Sequence, residues 1–209
     1  MQSGNFLRNI WIIMKREFAG YFGSPVAYVF IVIFLLLTGF FTFYISHFFE
    51  AGQADLKGFF QWHPWLFMFL VPAVAMRLWA EERRLGTIEL LLTMPVTVTD
   101  VVLGKFLAAW CFIGIALALT FPLVLTTMYL GSPDLGVIVC AYLGSFLMAG
   151  TFLSVGSMTS ALTRSQVVSF ILAVVACLFL ILAGFAPVTA VLSGCCLLYT
   201  SPSPRDPLR

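Results

Sequence analysis

The sequence predicts an all-α membrane protein, a polytopic bundle of five transmembrane helices. Hydrophobic residues make up 61% of the 209 residues, charged residues make up 10%, and the mean hydropathy is +1.04. A soluble domain carries about 25% charged residues. Five apolar runs are long enough to cross the ~30 Å of hydrocarbon in a bilayer. The net charge of +2 comes from scattered cations, which argues against a nucleic-acid partner.

Residues 1–25 are predicted to form an amphipathic helix in the membrane interface. Apolar residues recur there at steps of three and four: Leu7, Ile10, Trp11, Met14, Phe18, Tyr21 and Phe22. Basic residues are interleaved with them, whereas a signal peptide places its cations ahead of one apolar run. Trp11, Lys15 and Arg16 are the predicted anchors, since such cations reach toward lipid phosphates. Gly23, Ser24 and Pro25 then end the helix.

Residues 26–194 are predicted to form the transmembrane domain. Its five spans are residues 26–49, 64–80, 106–130, 135–162 and 167–183. Pro72 is expected to kink the second span and Pro122 to interrupt the third. Glycines and serines concentrate in the fourth span, which favours close packing in the bundle interior. We expect no aspartate or glutamate within a span.

The distribution of lysine and arginine predicts the orientation. With the N-terminus in the cytoplasm, the inner side collects Arg8, Lys15, Arg16, Arg77, Arg83, Arg84, Lys105 and Arg164, and the outer side collects Lys57. This bias follows the positive-inside rule. The loop between the second and third spans is therefore predicted to be cytoplasmic.

Residues 195–209, CCLLYTSPSPRDPLR, differ in composition from the rest of the chain. Three prolines and several polar residues fit neither a span nor a typical cytoplasmic tail. We interpret this segment as a non-native read-through tail and exclude it from the fold prediction. The native chain is then expected to continue past Gly194.

The segment of residues 81–105 concentrates charge between two apolar runs. Hydrocarbon does not hold such charges cheaply, so the whole segment is predicted to lie in water. Leucine and isoleucine at helical spacing predict a short helix from about Thr87 to just before Pro95. Thr97 and Asp100 predict a reciprocal cap for the next helix. A surface helix with an apolar stripe and a charge cluster suits docking into a partner's groove, although an ordinary solvated loop has the same composition.

The run EERRLGTIELLLTMPV, followed by VLGK, resembles the membrane permease subunits of type-2 ABC (ABC-2) transporters. It is similar in particular to the permeases of gliding-motility and multi-copper-maturation exporters. The matching positions are Gly86, Thr87, Glu89, Leu90, Leu91, Pro95, Gly104 and Lys105. Lys15-Arg16-Glu17 followed by a Ser-Pro pair is also similar to the family's N-terminal helix, and the resemblance covers about residues 5–192.

The resemblance implies an exporter subunit in the bacterial cytoplasmic (inner) membrane, with its N-terminus in the cytoplasm. It implies a coupling helix that docks on a separate ABC ATPase, and a dimer with a second permease copy or a paralogue surrounded by membrane lipid. The implied coupling residues are Glu81, Glu82, Arg83, Arg84, Gly86, Thr87, Glu89 and Leu91. Family members have six spans, whereas this sequence shows five.

No cofactor, metal site or catalytic residue is predicted in this chain. It lacks the G-x-x-x-x-G-K-[ST] phosphate loop, so ATP is expected to be bound by the partner subunit. His47 and His63 lie near the predicted outer face, and His63 is placed in an interfacial aromatic belt. The alternatives are an ion-coupled carrier or channel, an intramembrane enzyme, and a non-transporting structural subunit. The sequence does not select a cargo.

Overall fold

The computed structural model describes residues 3–46, 56–86, 97–131 and 134–184, and the secondary structure in these ranges is helical. The helices are α1 (Ser3–Gly23), α2 (Pro25–Phe40) with a π-helical extension (Phe41–Ile45), α3 (Lys57–Leu85), α4 (Val98–Ala118), α5 (Phe121–Leu130), α6 (Leu135–Leu162) and α7 (Gln166–Ala183). Within these ranges, five stretches are long and apolar enough to span a membrane: Pro25–Ile45, Gly58–Arg84, Val98–Leu130, Leu135–Leu162 and Gln166–Ala183. The predicted all-α polytopic bundle is confirmed.

Helix α3 lies at the centre of the bundle and packs against both α6 and α7. The core includes Phe34, Phe67, Phe112 and Leu153, each with 1% or less of its surface exposed. Glycine on α6 permits the close approach, because a Cβ at Gly156 would overlap the side chain of Ala75 on α3. The predicted packing role of small residues in the fourth span is confirmed at this position.

Helix α1 packs along α4. Ile10 is buried, whereas the next residue, Trp11, is 62% exposed. The exposure of Trp11, Lys15 and Arg16 is compatible with interfacial anchoring, which stays a prediction. Ser24 caps α2 by accepting a hydrogen bond from the Val26 amide, and Pro25 occupies the first turn, where its missing N–H costs nothing.

The bounds of the second and third spans differ most from the sequence prediction. Helix α3 begins at Lys57 and runs through Pro64 and Pro72, although each proline lacks the N–H of one intrahelical hydrogen bond. Helix α4 begins at Val98, directly after the predicted cap Thr97, and the third span therefore starts eight residues before the predicted Phe106. The predicted interruption near Pro122 is confirmed, since α4 ends at Ala118 and α5 begins at Phe121.

The placement of His63 in an interfacial belt is wrong. Its side chain is fully buried and lies against three phenylalanine rings, with centroid distances of 4.4 Å to Phe59, 5.4 Å to Phe60 and 5.3 Å to Phe67. The rings cover the imidazole because α3 starts earlier than predicted and carries this segment into the bundle. His47 lies outside the described residues, as do the predicted helix after Thr87 and the tail of residues 195–209.

Candidate functional site

A buried lysine joins three helices at the end of the bundle where α3 stops and α4 starts. The Lys105 side chain on α4 is 4% exposed. Its Nζ lies 2.7 Å from Glu82 Oε1 on α3 and 3.2 Å from Glu17 Oε2 on α1. We call Glu17, Glu82 and Lys105 the ion-pair triad. The triad connects α1 with the two helices that flank residues 87–96.

The local sequence explains how Glu17 reaches Lys105. The neighbour of Lys105 is Gly104, and a Cβ built there would lie 2.7 Å from Ile13 Cγ2 and 3.4 Å from the Ile10 carbonyl oxygen. Only glycine therefore lets α1 approach α4 this closely at the present backbone positions. Ile13 lies one helical turn before Glu17, so the same contact brings the carboxylate against the ammonium.

The electrostatics of the triad combine one buried cation with two partly exposed carboxylates. Glu17 and Glu82 are 22% and 19% exposed. Desolvating a lysine is costly unless it is paired, and two carboxylates supply that pairing. The ring of Trp79 lies 5.8 Å from Lys105 Nζ and adds a cation–π contact. The three charged groups together carry a formal charge of −1.

A second pair of charges lies beside the triad on the last turns of α3. Arg77 Nε donates to Glu81 Oε2 at 3.2 Å, and the two side chains are 35% and 39% exposed. Tyr21 on α1 faces the same region. Burial, and then the negative charge of Glu17, raise the pKa of the Tyr21 phenol well above its usual range, and Arg77 opposes that shift.

These charged groups form one end of a groove of about 380 Å³ between α1, α2 and α3. Glu17, Tyr21, Arg77, Glu81 and Lys105 line its polar end. Its other lining residues are mostly apolar side chains of α2 and α3, including Val29, Phe30, Ile33, Leu70, Ala73 and Val74. The groove is therefore amphipathic.

The start of α4 is also tied to α1. Thr97 Oγ1 accepts from the Asp100 amide at 3.3 Å, which confirms the predicted cap. The reciprocal half of that cap is wrong, because Asp100 Oδ2 instead accepts from Asn9 Nδ2 on α1 at 3.3 Å. The Asp100 side chain is 1% exposed, and its other oxygen has no hydrogen-bond partner. Asp100 therefore serves the α1–α4 contact rather than the cap.

Helix α6 fixes the same part of α3 through Ser160, which is fully buried. Its hydroxyl accepts from the Trp79 and Ala80 amides, each at 3.1 Å, and lies 3.1 Å from the Met76 carbonyl oxygen, to which it donates. Three bonds to one turn hold α3 in place immediately before Glu81 and Glu82.

The predicted coupling residues fall into four groups. Glu81 and Glu82 form the ion pairs described above, whereas Arg83 and Arg84 are exposed on the last turn of α3. Gly86 ends that helix with a φ of 71°, a left-handed conformation that favours glycine. The remaining coupling residues, Thr87, Glu89 and Leu91, lie outside the described residues.

The expectation that residues 81–105 lie wholly in water is wrong for Asp100 and Lys105. Both are buried, because the third span begins earlier than predicted and its helix packs on α1. The expectation that no acidic residue lies within a span also fails. The second span extends past Ala80 and includes Glu81 and Glu82, and the third span starts early enough to include Asp100. Sequence reasoning also missed the contact that Glu17 makes, because it singled out this residue only as part of the Lys15-Arg16-Glu17 run.

Among the described residues, no group of three or more histidine, cysteine, aspartate or glutamate side chains could hold a metal ion. What this site can do is mechanical and electrostatic. It joins three helices through charges, next to an amphipathic groove.

A family model described as "ABC-2 family transporter protein" matches residues 11–204 of the chain. No curated protein and no solved structure matches it.

Proposed function

The chain belongs to the ABC-2 family of transporter proteins, and on this premise we propose that it is a permease subunit whose ion-pair triad transmits the motion of a separate ABC ATPase. The ATPase docks on the cytoplasmic segment between α3 and α4, where residues 81–96 carry the coupling residues. ATP is bound and hydrolysed by that partner. A second permease copy or a paralogue completes the exporter in the cytoplasmic membrane of a bacterium, with the N-terminus on the cytoplasmic side.

The observation that carries this proposal is the position of Lys105. Its two carboxylate partners stand on α3 and on α1, so one side chain joins both helices that flank the docking segment to the N-terminal helix. A force applied to residues 87–96 acts on the end of α3 and the start of α4. The triad makes α1 follow these two helix ends.

Three other contacts make this assembly stiff enough to transmit motion. Gly104 brings α1 against α4, the Asn9–Asp100 hydrogen bond adds a second tie between them, and Ser160 holds α3 on α6. A packed region with few alternative arrangements moves as a unit instead of deforming. Movement of the docking segment is thereby carried to α6, at the far side of α3.

An ion-coupled carrier is the alternative that buried charges could favour. The charges here lie near the ends of α3 and α4 and are paired with one another, which suits a mechanical joint. A proton or cation site in a carrier lies near the bilayer midplane and changes its occupancy during transport. Dependence on ATP separates the two functions.

The test is reconstitution of the permease with its cognate ABC ATPase in proteoliposomes. We expect the permease to raise the rate of ATP hydrolysis by the ATPase, and Lys105→Met to abolish most of that stimulation while the two proteins still co-purify. Arg164→Met is the matched control, because Arg164 is an exposed cation on the same predicted face. Equal stimulation by the wild type and Lys105→Met would refute the role of the triad, and absence of any ATPase partner complex would refute the proposed function.

A further inference from the structure

The amphipathic groove between α1, α2 and α3 has the dimensions of a site for one lipid chain. Its volume of about 380 Å³ is at the lower end of the range of ~300–1,000 Å³ for small-molecule pockets. On α3 the lining residues extend from Leu70 to Glu81, about 16 Å along a helix. That length is about half the hydrocarbon thickness of a bilayer. The groove therefore follows a single leaflet.

The polar end of the groove provides charges of both signs within a short distance. Arg77 uses its Nε for Glu81, and a guanidinium has further N–H donors that a phosphate binds well. Glu81 is 39% exposed and Glu17 is 22% exposed, so both carboxylates can meet a ligand's ammonium group. Lys105 does not compete for a phosphate, because Glu17 and Glu82 already hold it.

The balance of these charges favours an ammonium in the ligand. Two carboxylates, Glu17 and Glu81, and two cations, Arg77 and Lys105, line the groove, so their formal charges cancel. Arg16 lies 3.6 Å from Glu17 but is 67% exposed and does not line the groove. An anionic head group without an ammonium would add a net negative charge to this balanced set, whereas a zwitterionic head group would add none.

We propose that the groove binds one phospholipid whose zwitterionic head group carries a primary ammonium. The phosphate lies at Arg77, the ammonium lies between Glu17 and Glu81, and an acyl chain lies between α2 and α3. The site takes this lipid from the leaflet at which the polar end opens. Lipid binding needs no ATPase, so it can be tested independently of the proposed coupling.

The test is native mass spectrometry of the full chain, purified in a neutral detergent, with added phospholipids of identical acyl chains. We expect one phosphatidylethanolamine to be retained about tenfold more tightly than phosphatidylglycerol, as one additional charge-assisted contact would give. Phosphatidylcholine, whose quaternary ammonium donates no hydrogen bond, is expected to rank between them. Equal retention of all three lipids would overturn the proposal.

Gly20 and Gly144 provide a matched pair of variants for this test. Both are exposed glycines at which an added Cβ meets no atom within 4 Å, but only Gly20 lines the groove. Gly20→Leu is expected to abolish retention of the phosphatidylethanolamine, and Gly144→Leu to leave it unchanged. Ala73→Phe, on the opposite wall, is expected to act as Gly20→Leu does. Retention by both groove variants would refute the site.

Two further measurements identify which chemistry the site recognises. Glu81→Gln removes one carboxylate and is expected to bring the retention of phosphatidylethanolamine close to that of phosphatidylglycerol. Hexadecylamine, which has the ammonium and a chain but no phosphate, is expected to bind more weakly than the phospholipid. Retention of hexadecylamine without retention of phosphatidylethanolamine would overturn the lipid assignment in favour of a free cationic amphiphile.

Discussion

Replacing Lys105 with methionine is the most informative perturbation of the ion-pair triad. Methionine has nearly the volume of the lysine stem but removes the cation that the carboxylates of Glu17 and Glu82 share. Breaking a buried ion pair by removing one partner costs about 3–5 kcal/mol. The carboxylates are 22% and 19% exposed, so water screens part of the repulsion. We therefore expect a loss of about 3 kcal/mol, the lower end of the range.

Thermal unfolding in detergent measures this loss. For a chain of 150–250 residues each kcal/mol lowers the Tm by about 2–4 °C. Lys105→Met should then unfold roughly 6–12 °C below the wild type. The triple variant with Glu17→Gln, Lys105→Met and Glu82→Gln removes all three charges, and replacing a complete buried ion pair by neutral groups is often close to neutral. It should recover most of the lost stability.

The triple variant separates the stability of the triad from its role in transmission. We expect it to be folded and stable and yet to stimulate the cognate ATPase poorly, because neutral side chains do not tie α1 to α3 and α4. A Tm of Lys105→Met within 1–2 °C of the wild type would refute the buried, paired state of the lysine. A triple variant with full ATPase stimulation would refute the need for these charges in coupling.

Three further predictions test the surrounding contacts. Gly104→Ala should destabilise the chain by about 1–3 kcal/mol in thermal unfolding, because the new methyl group meets Ile13. Gly39→Ala is the control, since a Cβ at Gly39 meets nothing within 4 Å. Equal effects of the two variants would contradict the close approach of α1 to α4. Ser160→Ala should lower the free energy of unfolding by about 1–3 kcal/mol, since it removes the hydroxyl that hydrogen-bonds to one turn of α3. An unchanged Tm would show that the contact adds no stability. The pKa of Tyr21 is raised by burial and by Glu17. The unfolded chain therefore releases the phenol proton at a lower pH than the folded chain, and stability should fall as pH rises above about 10. Tyr21→Phe should lose less stability between pH 9 and 11, and a pH profile identical to that of the wild type would contradict the burial of the phenol.

The spans could be predicted from the sequence because hydrocarbon thickness imposes a length and a composition that each segment shows by itself. The fourth span was located to the residue, and the interruption at Pro122 follows from the missing N–H of proline. The starts of the spans were harder to predict, since a polar first turn looks like a loop in a hydropathy profile, although Thr97 correctly marked the start of α4. Helix α4 begins with such a turn at Val98.

The site was less predictable because its contacts join residues far apart in the chain. Glu17 and Lys105 are separated by 88 positions, and no spacing rule connects them. Burial of Lys105 depends on the packing of α1 on α4. Gly104 permits this packing, but a glycine at that position does not by itself predict it. The charges on the end of α3 were correctly singled out as a cluster. Which of them face α4 and which face water was settled by tertiary packing.

The central claim is that α1, the end of α3 and the start of α4 move together when the ATPase acts. Distances between spin labels, in a cysteine-free background, test this most directly. Trp11 on α1 and Val102 on α4 are exposed sites for one labelled pair, and Val102 with Val167 on α7 forms the comparison pair.

These distances are to be measured in the assembled transporter without nucleotide and with ATP bound. We predict that the Trp11–Val102 distance stays the same within the width of its distribution, while the Val102–Val167 distance changes. In the triple variant, the Trp11–Val102 distribution should broaden. A wild-type Trp11–Val102 distance that shifts with ATP as much as the comparison distance would contradict the account.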